Sequence, residues 1–409
     1  MKIRFKNLLL SLLLLLCVSA SGCSYFDSSA SASSTTERQR SSSHPVADAS
    51  LDTMVKQTLD DINQYGWGST GKYGTGIWIN WYRDNPTGHQ NATHDGQNDL
   101  RAYENMVWYE ARHPGDTSMK AGIDRILPIV TKEWSRSTSP KGWIYFILQR
   151  LAQYADNTIW TKAMKTWAAA VYKGIDPTVS VSHNSVVDST AKNAPVCPDG
   201  YRVDQNLENG LALIDAGTRF DHPEWKRAGT QEVDTVIKQA FVSKYHLFSR
   251  TICQGKIWDW ESKGGEIGQE TDALLKVGEY THNDTYLNVA KEILDAVADP
   301  ATGLRDTTNN GIYFKIMLNT GKVDKSRKEM RQLHMLQAFH EANALFNNRY
   351  ADFEKNLLFV AKHSFFPTPV AGWMYEVSND YSLYKGKENW ISMEACGIAM
   401  EALQTVLGS

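Results

Sequence analysis

Acidic side chains occur repeatedly where long polar segments of this chain lead into apolar, helix-forming stretches. The candidates for catalysis are the carboxyl groups of Asp95, Asp99, Asp204, Glu266 and Glu270. Hydrolysis of a glycosidic bond usually needs two carboxyl groups, one that donates a proton and one that acts as base or nucleophile. An acid in the first turn of a helix also stabilises the helix dipole without any catalytic role. Each of these acids therefore has a structural interpretation as well.

Aromatic side chains lie in the same segments. Those predicted to bind substrate are Trp78, Trp81, Trp258, Trp260, Trp373 and Tyr375. Aromatic faces can stack on sugar rings, while the polar edges of Trp and Tyr tolerate water. His94, Asn206 and Lys315 complete the predicted substrate-binding set, and the polar run from His94 to Asp99 is the first choice for a site. The alternative interpretation is that the aromatic residues only pack the long segments onto the domain.

Composition disfavours several classes of function. The formal net charge is -3 and no long run of one sign occurs, so we expect neither nucleic acid nor an anionic membrane surface as partner. No pair of Cys or His residues has the spacing of metal ligands on one loop. The sequence thus indicates neither a metal nor another cofactor. We expect a monomer whose partner is an oligosaccharide or polysaccharide.

An internal repeat indicates which elements hold the candidate residues. Each unit is an amphipathic helix, a short polar turn and a second helix that opens with an aromatic and a small residue, and most units follow one another at about sixty residues. The first helices are apolar on more than one face, as in Trp143–Leu151, which suits an inner ring. The helix Leu51–Tyr65 has no sequence neighbour and would pair with Trp390–Leu407. We therefore predict an all-α fold, an (α/α)6 toroid of six helical hairpins.

The long loops of this predicted ring emerge on one face. They span 66–97, 176–205, 245–268, 301–329 and 364–389, whereas the turns inside each hairpin have a few residues. Long loops in compact domains usually carry function. Because the candidate acids and aromatic residues lie on or beside these loops, the repeat predicts that they meet on the loop face. Strand patterns are scarce, and alternating runs such as Gly311–Leu318 predict a hairpin within a loop.

The N-terminus has the block order of a bacterial lipoprotein signal peptide. Basic residues precede an apolar run from Leu8 to Val18, and small residues precede Cys23, as in segments that are cleaved before a lipidated cysteine. The apolar run is about half of the ~20 residues that a spanning helix needs, so a permanent transmembrane anchor is the weaker alternative. The predicted division is a signal peptide at 1–22, a Ser-rich flexible tether at 23–48 and the toroid domain at 49–409.

Lipid on Cys23 would anchor the protein in the cell membrane or outer membrane, facing away from the cytoplasm. Such compartments permit disulfides. Cys197 and Cys253 lie in loops that lead into consecutive inner helices, hence on one face of neighbouring hairpins, and we predict a bond between them. Cys396 lies inside an apolar helical pattern and is expected to be a core residue.

The order and spacing of these pieces resemble the six-hairpin glycosidase superfamily, most closely glycoside hydrolase family 76, the endo-α-1,6-mannanases. The run Gln205–Gly210 is similar to the start of an inner helix in that family, and Gly265–Glu270 with Tyr286–Ala290 is similar to a second helix. Tyr313–Ile316 looks like the family's Phe-Lys-Gly segment. The likeness covers most of residues 95–406 and implies the toroid fold and activity on carbohydrate.

The chain departs from this family at the catalytic pair. The mannanases carry adjacent aspartates ahead of a Trp-bearing inner helix, where this chain has Ser139–Trp143 without an acid. A different register places the pair on Asn98 and Asp99 and keeps one acid. The resemblance therefore implies the fold more than the reaction.

Three functional interpretations stay open at this point. The first is a glycoside hydrolase whose carboxylates come from the five candidate acids. The second is a polysaccharide lyase or sugar epimerase that uses His94 or a loop tyrosine. The third is a noncatalytic glycan-binding lipoprotein, which the absent aspartates favour. We expect the hydrolase, because several acids are available on the loop face.

Overall fold

The computed structural model describes residues 50–68, 76–77, 80–82, 96–187, 195–385 and 390–408, and for 80–82 it describes the backbone only. The predicted signal peptide at 1–22, the tether at 23–48 with Cys23, the site residues Trp78, His94 and Asp95, and the side chain of Trp81 lie outside the described residues.

The helices of this part of the chain are α1 (Leu51–Tyr65), α2 (Gly96–Arg112), α3 (Lys120–Trp134), α4 (Gly142–Tyr154), α5 (Asn157–Gly174), α6 (Val203–Arg219), α7 (Pro223–Ala240), α8 (Gly264–Thr281), α9 (Asp284–Ala298), α10 (His334–Leu345), α11 (Ala351–His363) and α12 (Met393–Leu407). Short 3-10 turns occur at Pro300–Thr302 and Met330–Leu333.

The strands are all short, and they are β1 (Trp67–Gly68), β2 (Gly76–Ile77), β3 (Asn80–Tyr82), β4 (Ile175–Asp176), β5 (Val181–Ser182), β6 (Val186–Val187), β7 (Val196–Cys197), β8 (Gly200–Arg202), β9 (Phe241–Val242), β10 (Leu247–Phe248), β11 (Thr251–Cys253), β12 (Lys256–Asp259), β13 (Glu261–Lys263), β14 (Lys315–Met317), β15 (Lys322–Asp324), β16 (Lys328–Glu329), β17 (Phe365–Phe366), β18 (Gly372–Trp373), β19 (Glu376–Val377) and β20 (Trp390–Ser392).

Six of the helices form a closed inner ring. Helices α2, α4, α6, α8, α10 and α12 each pack against the next, and α12 packs against α2. Each inner helix from α2 to α10 pairs with the helix that follows it, whereas α12 pairs with α1. The predicted (α/α)6 toroid, including its closure by the first and last helices, is confirmed.

Burial distinguishes the two rings. Helix α6 of the inner ring buries residues on all sides from Val203 to Gly217. Its outer partner α7 buries one stripe, which includes Trp225, Gly229, Val233 and Val236. A helix packed on both sides needs apolar residues around its circumference, whereas a surface helix needs one apolar face. The hydrophobic core therefore lies between the rings and along the sides of the inner helices.

Two three-stranded sheets position the starts of two inner helices. Strands run in the order β12-β11-β8 in one sheet and β13-β14-β15 in the other. Strand β8 leads directly into α6, and β13 leads directly into α8. The predicted hairpin at Gly311–Leu318 contains β14, which pairs with both β15 and β13. The first turns of α6 and α8 are therefore held by hydrogen-bonded backbone rather than by free loops.

A disulfide joins Cys197 and Cys253, whose Cα atoms are 6.1 Å apart. This is the pair named from the sequence, and it fastens the segment that carries β8 to the hairpin of β11 and β12. Cys396 is buried and not disulfide-bonded. None of the helices within the described residues is long and apolar enough to cross a membrane.

Helix α8 begins earlier than the sequence indicates, at Gly264 instead of near residue 269. Two consecutive glycines suggest a loop, because glycine is a poor helix former. A Cβ atom on Gly264 would lie 2.9 Å from the Cβ of Gln332, and one on Gly265 would lie 2.7 Å from the Cβ of Arg331. The glycines thus allow the first turn of α8 to touch the segment that precedes α10.

Candidate active site

Four carboxyl groups meet at the starts of two adjacent inner helices. Asp204 and Glu208 lie four residues apart on α6, and Glu266 and Glu270 lie four residues apart on α8. Side chains with this spacing share one face of a helix. All four are buried, and burial together with the negative charges of Asp204 and Glu266 raises the pKa of Glu270. The interior of the ring therefore contains a cluster of acids on the side where the loops enter.

Arginine side chains neutralise one part of this cluster. Arg250 Nε lies 3.0 Å from Glu266 Oε1, and Arg202 Nη2 lies 3.1 Å from the same oxygen. Arg202 also contacts both oxygens of Asp204, at 2.9 and 2.5 Å. Burial alone would raise the pKa of Glu266, but the two guanidinium groups outweigh it and hold this pKa to about 2. Glu266 is ionised at neutral pH.

Glu270 has the opposite environment. It makes no hydrogen bond or ion pair with any described residue, and it is 2% exposed. Burial, followed by the negative charges of Asp204 and Glu266, raises its pKa well above the usual value. A buried carboxyl group without a counter-ion keeps its proton. Glu270 is therefore a protonated acid beside the ionised carboxylate of Glu266.

Glu208 has a raised pKa, as Glu270 does, but it also has a hydrogen-bond partner, as Glu266 does. Gln269 Nε2 donates a hydrogen bond of 3.1 Å to its Oε1. Burial, and then the charge of Asp204, raises the pKa of Glu208 to about 8. Glu208 also keeps a proton at neutral pH, but Gln269 binds its carboxyl group.

A second set of charges lies further along the inner helices. Arg150 of α4 bridges Glu104 of α2 and Glu401 of α12. Arg101 Nη1 lies 3.2 Å from Glu401 Oε2. Burial would raise the pKa of Glu401, but Arg150 and Arg101 outweigh it and lower this pKa to about 2. This network ties three inner helices together across the ring.

His334 begins α10 and faces the ring interior. The charges that act on its imidazole belong to Glu401 on α12, Arg101 on α2, Arg331 just before α10, and Asp272 on α8. These groups belong to four different parts of the inner ring. Burial is the largest effect and lowers the pKa of His334 to about 4. The imidazole is therefore neutral at physiological pH.

Two glycines let the inner helices approach closely at these residues. A Cβ atom on Gly142 of α4 would lie 2.4 Å from the Cβ of Glu208. One on Gly268 of α8 would lie 2.5 Å from the backbone of His334 and Met335. Any larger side chain would separate the helices. The sequence thus places glycine where a site residue must lie against its neighbour helix.

Several residues predicted to bind substrate lie on loops that lead into the ring. Trp258 and Tyr375 are partly exposed. Trp260 is partly buried against the core. Lys315 Nζ contacts Glu261, and Tyr375 lies beside Arg331, whose guanidinium carbon is 5.6 Å from the ring centre. Among the described aromatic side chains of the predicted set, Trp258, Trp260 and Tyr375 are partly exposed.

Three predicted site residues have structural contacts instead. Asn206 bonds the backbone of Ser182 through both its amide atoms, at 2.9 and 3.1 Å. Trp373 is fully buried, and its indole N–H donates to the carbonyl oxygen of Ala361 at 3.0 Å. Asp99 is fully buried and accepts a 2.6 Å bond from the amide of Ile77. These side chains fasten loops to the ring.

Sequence reasoning missed several residues of the ring interior. These are Arg101, Glu104, Arg150, Arg202, Arg250, His334 and Glu401. A detectable signal was present, because charged residues at positions 101, 104 and 401 interrupt helices that are otherwise buried. Charged groups in such positions are costly unless they are paired or functional. His334 gave a weaker signal, since a lone histidine at a helix start is usually structural.

The arrangement can supply a proton and stabilise positive charge. Glu270 carries a proton that it can donate, and ionised Glu266 provides negative charge four residues away on the same helix. Neighbouring carboxyl groups whose pKa values are driven apart are typical of acid-base sites.

Comparison with known proteins gives structural but not sequence matches. No family model matches the sequence, and no curated protein matches it. An unsaturated glucuronyl hydrolase specific for heparin superposes with a TM-score of 0.66 at 14% identity, over 88% of this chain and 97% of that one. A cellobiose 2-epimerase from Spirochaeta thermophila superposes with a TM-score of 0.64 at 13% identity, over 87% of this chain and 97% of that one. A family 76 α-mannanase from Bacteroides thetaiotaomicron superposes with a TM-score of 0.62 at 11% identity, over 88% of this chain and 98% of that one.

Identities this low establish the fold and leave the reaction to be argued from the site. The matches extend over nearly the whole length of each of these proteins. Together with the closed ring of six inner helices, they show that this chain has the (α/α)6 toroid fold.

Proposed function

We propose that this protein is a carbohydrate-active enzyme, a glycoside hydrolase that acts on an oligosaccharide or polysaccharide, with Glu270 as its proton donor. The observation that carries the proposal is the protonated, unpaired Glu270 beside ionised Glu266. The similar structures support a sugar substrate, because their names describe a hydrolase, an epimerase and a mannanase.

Glu270 would give its proton to the glycosidic oxygen as the bond to the anomeric carbon breaks. The sugar ring then develops positive charge, as in other glycosidase transition states. Asp204 and Glu266 would stabilise that charge, and arginine side chains pair with both carboxyl groups. Trp258 and Tyr375 offer aromatic faces on which sugar rings can stack.

The test is a screen of defined oligosaccharides for new reducing ends, followed by comparison with Glu270→Gln on the best substrate. We expect the variant to bind nearly as well and to lose at least ~100-fold in kcat. The matched control is Glu232→Gln. Glu232 is also fully buried, and burial raises its pKa to about 8, but it accepts a bond from Ser182 on the outer side of α6.

Full activity of Glu270→Gln on a confirmed substrate would refute the proton-donor role. The pairing of Asp204 and Glu266 with arginines favours a second candidate, a noncatalytic glycan-binding protein. Glycan binding without turnover, unchanged in Glu270→Gln, would select it. Unsaturated products that absorb ultraviolet light would identify a lyase, and a product of unchanged mass would identify an epimerase.

We also propose that the protein is a lipoprotein outside the cytoplasm, anchored through Cys23 in the cell membrane or outer membrane. The support is the order of basic, apolar and small residues before Cys23. A polysaccharide substrate agrees with that location, because an enzyme anchored there can reach polysaccharides outside the cytoplasm. We propose that it acts as a monomer.

A further inference from the structure

We propose that His334 is the general base of this site, the residue that takes a proton from the water molecule that attacks the sugar. This inference rests on the proposed hydrolase function. It assigns the second half of the acid-base pair to a histidine on α10, although the sequence indicated carboxylates for both halves.

The first argument is the set of partners in the ring interior. Among the buried acidic, basic and histidine side chains that the structure describes, Glu270 and His334 alone make no hydrogen bond or ion pair through their side chains. The other acids of the cluster are held: Asp204 and Glu266 by arginines, and Glu208 by Gln269. Polar groups of buried residues that make no bond within the protein need an explanation, and a catalytic role is one of them.

The second argument is position. Gly268 lies between the acids Glu266 and Glu270 in α8, and its Cα side contacts the backbone of His334. His334 thus starts α10 at the level of the acid cluster. The charges that act on its imidazole lie on the inner helices α2, α8 and α12 and just before α10. The proton donor and His334 therefore approach the ring interior from neighbouring helices.

The third argument is protonation state. Burial, with Arg101 and Arg331 acting in the same direction, outweighs Glu401 and Asp272 and lowers the pKa of His334 to about 4. A neutral imidazole has a lone pair that can accept a proton. Asp204 and Glu266 are less suited to this role, because their oxygens already bind guanidinium groups.

The step balances without any further reactant. The water oxygen bonds to the anomeric carbon while one water proton passes to an imidazole nitrogen of His334. The bond from that carbon to the glycosidic oxygen breaks, and this oxygen takes the proton of Glu270. The imidazolium then releases its proton to solvent, and Glu270 takes one up. Direct attack by water on the face opposite the leaving group inverts the anomeric configuration.

The experiment compares His334→Ala, His334→Gln and Glu270→Gln on a confirmed substrate and on its aryl glycoside with a good leaving group. For both His334 variants we expect kcat to fall by at least ~100-fold with little change in KM. Azide, which needs no base, should restore turnover of His334→Ala and give a glycosyl azide. The good leaving group should restore the kcat of Glu270→Gln and not that of the His334 variants.

The matched control is His340→Gln. His340 lies six residues further along α10, and its Nδ1 bonds Glu354 of α11 at 2.7 Å, away from the ring interior. We expect unchanged kcat. Thermal unfolding of every variant confirms that the fold is retained. In the wild type, kcat should fall as the pH drops through about 4, the pKa of His334, and this acidic limb should be absent from the residual activity of His334→Gln.

The outcomes separate this inference from the proposed function. Loss of activity in Glu270→Gln with normal kcat in both His334 variants would overturn the base assignment and leave the hydrolase intact. Folded His334 variants that lose activity but are not rescued by azide would also overturn it, as would a product of retained anomeric configuration. Full activity of Glu270→Gln would instead remove the hydrolase mechanism itself.

Discussion

Glu266 and Glu270 lie four residues apart on one helix, yet their surroundings drive their ionisation in opposite directions. Both are almost completely buried. The difference comes from guanidinium groups that reach Glu266 and not Glu270. At this scale, the chemistry of the site depends on which carboxylate has a counter-ion. Burial alone would have left both carboxyl groups protonated.

The same physics predicts how stability depends on pH at Glu232. In the folded state its pKa is raised from the usual 4.5 to about 8. Below pH 4.5 the folded and unfolded states are both protonated. Between 4.5 and 8 only the unfolded state releases this proton, so the free energy of unfolding falls as pH rises, by on the order of 1.4 kcal/mol for each unit of the shift.

Glu232→Gln should therefore be more stable than the wild type at pH 8 and similar to it at pH 5. Glutamine keeps an oxygen that can accept the bond from Ser182 and has no proton to lose. Urea unfolding of both proteins at the two pH values measures the difference. Parallel losses of stability in variant and wild type would show that Glu232 is not the group responsible.

Three of the acids that meet in the ring were predicted from the sequence, but their individual roles were not. Asp204, Glu266 and Glu270 were chosen because they lie near predicted helix starts. The low pKa of Glu266 depends on Arg202 and Arg250, which reach it from positions 64 and 16 residues away. Such contacts depend on the packing of separate hairpins and leave no local pattern. The sequence therefore predicted which acids lie at the site better than it predicted their protonation states.

At the scale of elements, helix periodicity was enough to distinguish inner from outer helices. It was less informative about ends and loops. The glycines at the start of α8 suggested a loop, although they are needed for contact with the next hairpin. Trp373 was expected on the loop face, but its strand pairs with the strand after α11, and its indole is bonded within that hairpin. Loop conformation depends on such tertiary contacts, which periodicity does not encode.

The close approach of α8 and α10 predicts the effect of one added methyl group. In Gly268→Ala the new Cβ would lie 2.5 Å from backbone atoms of His334 and Met335. Backbone atoms cannot move aside as a flexible side chain can, so the helices must separate, at a cost of ~1–3 kcal/mol. Chemical denaturation measures this loss.

Gly174→Ala at the end of α5 is the matched control, since nothing lies within 4 Å of the added Cβ. We expect this change to be neutral or to stabilise the protein by up to ~1 kcal/mol. Equal effects of the two substitutions would mean that helix propensity, and not the contact between α8 and α10, determines the result.

At the scale of the whole molecule, the proposed lipid anchor gives a direct test of location. Cys23→Ala removes the thiol that would receive the lipid. We expect the variant to accumulate as an unprocessed or unlipidated form that is released from washed membranes by mild treatment. Membrane fractionation with mass analysis of the N-terminus measures this. Cys396→Ala is the control, because Cys396 lies buried in the toroid; unchanged anchoring of Cys23→Ala would refute the proposal.

The packing of α1 against α12 has a consequence for how the chain can be connected. The ring contains six similar hairpins, and one of them is assembled from the two ends of the sequence. In space no hairpin is first or last, so the fold does not depend on where the backbone is interrupted. A circular permutant that joins α12 to α1 through a short linker and opens the turn between α4 and α5 keeps every helix contact of the ring. In topological terms the ring of helices is closed, and the two ends of the domain lie in one of its six hairpins.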